Sequence, residues 1–142
     1  MRRLTDAFIS ATIRLGVGPS QRCLLTVVGR RTRMSRTTPV SLVIVGSTRY
    51  LVAPYGEVEW VRNARAAPWL TLARKARTEH FRLAEISAAE AGPVLARYLK
   101  LEPITRPYFD VAPDAPPEAF AAEASTHPVF RLMPVSPGDA KQ

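Results

Sequence analysis

Apolar side chains recur along the first fifteen residues at the spacing of a helix. Leu4, Ala7, Phe8, Ala11 and Leu15 share one face, while Arg2, Arg3, Asp6, Ser10 and Arg14 fall opposite, which predicts a helix over 3–15. Ile9 and Ile13 widen its apolar arc, and Gly16-Val17-Gly18-Pro19-Ser20 ends it. The pattern then shortens to the period of strands. Strands are expected over 23–28, 37–45, 49–53, 69–73, 78–86 and 128–133, with Val40, Leu42 and Ile44 on one face of the second. Gly46-Ser47 is a hairpin signal before the third. In the fifth, Phe81 and Leu83 alternate with His80 and Arg82, as one-sided burial requires. Pro39 has no N–H to give a ladder, so it belongs at an edge or among the first paired residues.

Between strands, residues 59–66 read as a short helix closed by Ala67-Pro68. Ser87-Ala88-Ala89-Glu90 fits a capping box ahead of Ala91, Val94, Leu95 and Tyr98 at helical spacing. Pro93 lies too deep for the first turn of a helix starting at Ala88, so that helix either kinks or starts later. Residues 103–117 are proline-rich and read as irregular, and 118–124 as one helical turn or two. Antiparallel strands with hairpins and small helices predict a mainly β (α+β) fold, a small β-barrel with flanking helices. The expected organisation is an N-terminal helix and linker over 1–20, the barrel domain over 21–133 and a frayed tail over 134–142.

At 142 residues the chain has the usual size of one domain, and its 46% hydrophobic content argues against wholesale disorder. A single cysteine, Cys23, makes an internal disulfide impossible; before an apolar strand it reads as a buried structural thiol. Polar residues interrupt the N-terminal apolar positions, so no secretory signal is expected, and no run approaches the roughly 20 apolar residues of a membrane span. The expected location is the cytoplasm. The N-terminal helix has two readings: a cover over one end of the barrel, or a basic amphipathic helix making peripheral contact with an anionic membrane through residues 2–15. A net charge of +8 calls for an anionic partner without naming it.

The placement of the arginines narrows the choice. In the stretch from Gly29 to Pro39, Arg30, Arg31, Arg33 and Arg36 stand among the hydroxyls of Thr32, Ser35, Thr37 and Thr38, in a turn between two strands. Guanidinium forks match phosphate oxygens, and hydroxyls add short-range donors. Each charge-assisted bond contributes about 1.5–3 kcal/mol net, so two or three anchor a phosphate. A solvated basic hairpin tip is the competing reading. Nucleic acid fits less well, because the stretch has no exposed aromatics for base stacking.

A second constellation runs Ala53-Pro54-Tyr55-Gly56-Glu57-Val58-Glu59-Trp60-Val61-Arg62-Asn63. A strand ends in a Pro–Gly bend and enters a helix with Asn63 one turn beyond Trp60. Backbone donors at a bend beside an indole suit a flat heteroaromatic ligand; Trp60 packing its helix onto the barrel is the alternative. His80 and His127 have no neighbours at metal-ligand spacing, and the nucleophile and P-loop motifs are missing. An enzyme of this kind takes its chemistry from a cofactor.

Together these residues resemble a known family. Leu25-Thr26-Val27-Val28-Gly29-Arg30-Arg31-Thr32, Arg36-Thr37-Thr38-Pro39, Val52-Ala53-Pro54-Tyr55-Gly56, Trp60-Val61-Arg62-Asn63-Ala64-Arg65-Ala66 and His127-Pro128-Val129-Phe130-Arg131-Leu132 resemble the deazaflavin-dependent nitroreductases in order and spacing. The resemblance implies a split β-barrel of the FMN-binding, flavin-reductase type that binds the 8-hydroxy-5-deazaflavin coenzyme F420. It implies phosphate binding by Arg31 and Arg36, with Arg30, Thr32, Ser35 and Thr38 nearby. Ala53, Tyr55 and Gly56 would line the ring, and Trp60 and Asn63 would support them. The polyglutamate tail of the coenzyme gives a reason for the positive charge. Arg33 departs from the pattern, standing where the family commonly has glycine.

The implied activity is hydride transfer from the reduced coenzyme to a quinone, nitroaromatic or activated enone. Tyr108 and then Tyr98 are the candidates for a substrate wall or proton donor, with core aromatics as the alternative for each. A deazaflavin carrier without turnover, an FMN-binding barrel and a nucleic-acid module remain as alternatives. A homodimer is open.

Overall fold

A computed structural model describes residues 21–135. The expected helix over 3–15, its membrane contact and the tail beyond Val135 lie outside the described residues. The elements are β1 (Arg22–Val28), β2 (Ser35–Val45), β3 (Thr48–Val52), α1 (Glu59–Ala66), β4 (Trp69–Arg74), β5 (Arg77–Glu85), α2 (Ala88–Leu101), a 3-10 helix η1 (Pro103–Tyr108), α3 (Pro117–Phe120), a second 3-10 helix η2 (Ala121–Ser125) and β6 (Val129–Pro134). The strands close an antiparallel barrel in the order β1-β2-β3-β6-β5-β4. The expected fold class holds, and the proline-rich segment read as irregular contains η1.

Strand alternation fills two cores. Leu25, Val27, Leu51, Leu70, Leu72, Phe81, Leu83, Phe130 and Leu132 point into the barrel with Trp60 and Val61 of α1. Outside it, Val43, Tyr50, Val52 and Val129 are covered by Ala91, Val94, Leu95 and Tyr98 of α2, together with Phe109 and Phe120. Each fully buried Leu, Val or Phe contributes about 1.5–3 kcal/mol, so both faces of β3 matter to stability. The face expected for β2 turns inward over only part of its length, and the opposite face is buried as well. Val40 and Leu42 pack against the interior, but Ile44 is exposed while Val43, on the other face, is buried beneath α2. Pro39 pairs with Leu24 in β1, and pairing of β2 with β3 starts only at Leu42, so the missing N–H interrupts no second ladder. Pro134 also differs from expectation: it pairs with Phe81, and the Val135 N–H donates to the His80 carbonyl at 3.0 Å.

The N-cap of α2 is Ser87, whose hydroxyl accepts from the Glu90 N–H at 3.2 Å. Glu90 does not complete the box; its carboxylate accepts from the Tyr50 hydroxyl at 3.0 Å. The helix starts at Ala88 and continues through Pro93. Proline there frees the carbonyl of Ala89, and both residues are exposed, so water can replace the lost bond. At the other end of α2, buried Glu102 accepts from Arg22 at 3.1 Å and from the Ser41 hydroxyl, tying the helix to β1 and β2. Among the described residues no helix is long and apolar enough to cross a membrane.

Candidate functional site

The β1–β2 turn begins where Val28 pairs with Ser35. The Gly29 N–H donates to the Met34 carbonyl at 2.8 Å, the Arg33 N–H to the Gly29 carbonyl at 2.9 Å, and the Met34 N–H to Thr32 Oγ1 at 3.2 Å. A Cβ added at Gly29 would stand 2.8 Å from Thr32 Oγ1 and 3.1 Å from the Met34 carbonyl oxygen, so a larger residue there would have to displace the Thr32 side chain and shift the Met34 carbonyl. Arg33 has φ +62°, in the left-handed region. That conformation is the physical reason a glycine suits this position, and arginine holds it at a steric cost of about 1–2 kcal/mol.

The arginines of the turn divide into two groups. Arg30 faces α1: its N–H donates to Asn63 Oδ1 at 3.1 Å, and its Nη1 to Asn63 Oδ1 at 2.9 Å and Glu59 Oε2 at 2.8 Å. The hydrogen bond and charge of Arg30 hold the Glu59 carboxyl below its ordinary value, with smaller contributions from Arg62 and Arg31. Arg30 and buried Asn63 therefore strap the turn to the helix. Arg31, Arg33 and Arg36 are exposed, and among the described residues no carboxylate lies within ion-pair distance of them. Thr37 is engaged across the ladder, its Oγ1 3.0 Å from Thr26 Oγ1. Thr32 and Ser35 are exposed, and Thr38 is half-buried.

The bend before α1 is fixed from the neighbouring strand, since β6 pairs with β3. The Ala53 N–H donates to the Pro128 carbonyl at 2.9 Å, and Gly56, at φ +89°, adopts a conformation that favours glycine. Tyr55, between them, is 47% exposed. Tyr108, at the end of η1, is 56% exposed, and the two rings meet edge to face with centroids 4.8 Å apart. Trp60 is buried in the barrel interior, its ring centroid 5.7 Å from that of Phe130. Tyr98 is placed differently: it is 4% exposed, in the core under α2, with its ring 6.5 Å from Phe109. Burial first, and the nearby Glu102 carboxylate second, push its hydroxyl above the ordinary tyrosine value. The structure thus brings Tyr55 and Tyr108 together at the surface and keeps Tyr98 inside.

His127 was noted in the sequence, but its buried pairing with Glu123 was not. Glu123 and His127, 6% and 5% exposed, lie with Glu123 Oε1 3.8 Å from His127 Nε2. Their i, i+4 spacing was the available signal. Among the described residues no group of His, Cys, Asp or Glu is placed to hold a metal ion.

The profile of the F420H(2)-dependent quinone reductase family matches residues 2–110. The chain belongs to that family. No curated protein matches it by sequence. Similar solved structures include a domain-swapped dimer, at 17% identity and a TM-score of 0.60, covering 93% of this chain and 96% of that one. An F420-H2 dependent reductase, FDR-A, is similar at 16% identity and a TM-score of 0.56, covering 80% of this chain and 94% of that one. The haem storage protein HutZ of Vibrio cholerae is similar at 11% identity and a TM-score of 0.59, covering 82% of each chain. At these identities the structures share the fold.

The residues present fit the family's coenzyme. Three exposed arginines without carboxylate partners among the described residues, interleaved with hydroxyls, form a donor set suited to a phosphate. The strap through Arg30 and Asn63 places that set beside the helix that follows the Tyr55 bend.

Proposed function

We propose that this family member is a reductase that uses reduced F420 to reduce a quinone or a comparably electron-poor acceptor, such as a nitroaromatic or an activated enone. Family membership supports the coenzyme and the reductase chemistry. One observation carries the reading to particular residues: a turn with three arginines that have no carboxylate partner among the described residues is strapped to the helix whose leading bend presents Tyr55 against Tyr108.

When bound, the reduced deazaflavin supplies a hydride. Arg31 and Arg36 bind its phosphate, with Thr32, Ser35 and Thr38 adding donors and Arg33 reaching toward the acidic tail. Ala53, Tyr55 and Gly56 line the ring. Trp60 and Asn63 support the site, one by packing against Phe130 and the other by holding the Arg30 N–H. Tyr108 forms a wall over the acceptor, restricting water and holding it in reach of the hydride donor. The proton that completes reduction comes from solvent or from the exposed Tyr108 hydroxyl. Tyr98 is too deeply buried to touch an acceptor in this conformation.

Turnover of menadione with reduced F420, followed by the absorbance of the oxidised coenzyme, tests the activity. Saturable binding without turnover of quinones, nitroaromatics or enones would instead identify a deazaflavin carrier.

A further inference from the structure

We infer that Glu123 and His127 are positioning residues that set where Tyr108 stands relative to the Tyr55 bend, and so shape the entrance for the acceptor. The inference rests on the proposed role of Tyr108 as the acceptor's wall. Tyr108 is the last residue of η1, and the next two residues are both tied to one short segment. The Phe109 ring stacks on His127, centroids 4.1 Å apart and planes 18° apart. The Asp110 N–H donates to Glu123 Oε1 at 2.8 Å.

The same segment reaches the other wall. The Thr126 carbonyl oxygen would be 3.4 Å from a Cβ at Gly56, and the Pro128 carbonyl accepts the Ala53 N–H at 2.9 Å. Residues 123–128 are therefore a bridge, with Tyr55 hung from one side and Tyr108 from the other. The bridge is itself held by backbone bonds, since the Glu123 carbonyl accepts from the Thr126 and His127 N–H groups at 3.1 and 2.8 Å.

The choice of side chains points to geometry rather than bulk stability. Phe109, Phe120 and Val129 make this core apolar, and a carboxylate and an imidazole are costly to bury there. His127 Nδ1 has no partner among the described residues, so the pair is not optimised as a hydrogen-bond network. What it does secure is direction: a carboxylate oxygen aimed at one N–H, and a flat ring aimed at one other ring.

The test uses the full chain with 3-fluorotyrosine in place of Tyr108, read by fluorine NMR without coenzyme, alongside kinetics of the unlabelled protein with menadione. Glu123→Gln keeps an acceptor oxygen for the Asp110 N–H; Glu123→Leu removes it. We expect Glu123→Leu to shift or split the position-108 resonance. It should raise KM for menadione at least about fivefold, with kcat and coenzyme Kd changed less than about twofold. Glu123→Gln should stay near the parent in all of these. A folded Glu123→Leu with an unmoved resonance and unchanged KM would overturn the inference, as would parallel loss of coenzyme affinity. Should Glu123→Leu not fold, His127→Phe and His127→Ala ask the same question. The phenylalanine preserves the stack and should leave the resonance in place; the alanine should move it, and equal behaviour of the two overturns the inference. The resonance is read on the apo-protein, so failure of the proposed activity and failure of this inference are separable.

Discussion

On one side of the site, the arginine turn takes its shape from bonds among its own neighbours, Gly29 to Met34 and Arg33 to Gly29. On the other, Tyr108 depends on a carboxylate thirteen residues beyond Asp110 and on a ring stack with His127. The first side has polar, exposed outward side chains and local backbone bonds, with the Arg30–Asn63 strap as its long-range tie. The second is buried, irregular and long-range. A turn built locally tolerates loss of its outward side chains, because none of them holds the fold; a wall hung from a buried bridge does not separate shape from contact so cleanly. Substitutions on the two sides should therefore fail in different ways.

The largest effect is expected for Arg31→Ala combined with Arg36→Ala. Loss of two charge-assisted bonds at about 1.5 kcal/mol each weakens coenzyme binding at least about tenfold. The melting temperature should hardly change, since neither side chain has a carboxylate partner among the described residues. Fluorescence titration and a thermal melt check both halves of that statement. If the melt collapses instead, the turn is not as independent as the comparison holds.

On the other side, Gly92→Ala should invert the pattern. A Cβ there would lie 2.6 Å from the Pro117 carbonyl oxygen, forcing α3 away from α2 at a cost of about 1–3 kcal/mol. The variant should lose stability and raise KM for the acceptor, with coenzyme affinity less affected. Asn63→Ala sits between the two. It leaves the Arg30 N–H without its acceptor and should cost about 1–2 kcal/mol in denaturant unfolding, with a smaller loss of coenzyme affinity. The smallest effect is expected from Arg33→Gly. Relief of the left-handed backbone should stabilise the turn by less than about 1 kcal/mol, offset by a more flexible unfolded chain. Affinity for long-tailed coenzyme should fall more than affinity for a short-tailed form.

The same contrast explains what could be read from the residues. The strands of the barrel, α1 and the Ser87 cap follow from period, propensity and capping chemistry, all local signals. The arginine turn was legible for the same reason, down to the glycine at 29. The burial of Val43 on the other face of β2 was not, because α2 covers the outside of the barrel there; nothing within the strand announces a second core. The sequence ranked Tyr108 ahead of Tyr98 but did not show that one is exposed and the other buried. One lies at the end of a 3-10 helix in a proline-rich stretch, the other one helical turn inside a covered face, and only tertiary packing exposes the first. Arg30 looked like its neighbours, yet its partners lie on a helix about thirty residues on, at Glu59 and Asn63.

We propose that this barrel binds a deazaflavin coenzyme through the arginine turn. The most direct measurement is titration of the purified chain into oxidised F420 and, separately, FMN, following the fluorescence of each. Saturable micromolar binding of F420 is expected, weakened at least about tenfold in the Arg31→Ala, Arg36→Ala double variant, with FMN bound much more weakly. No binding of F420, or equal binding by parent and folded double variant, would contradict it.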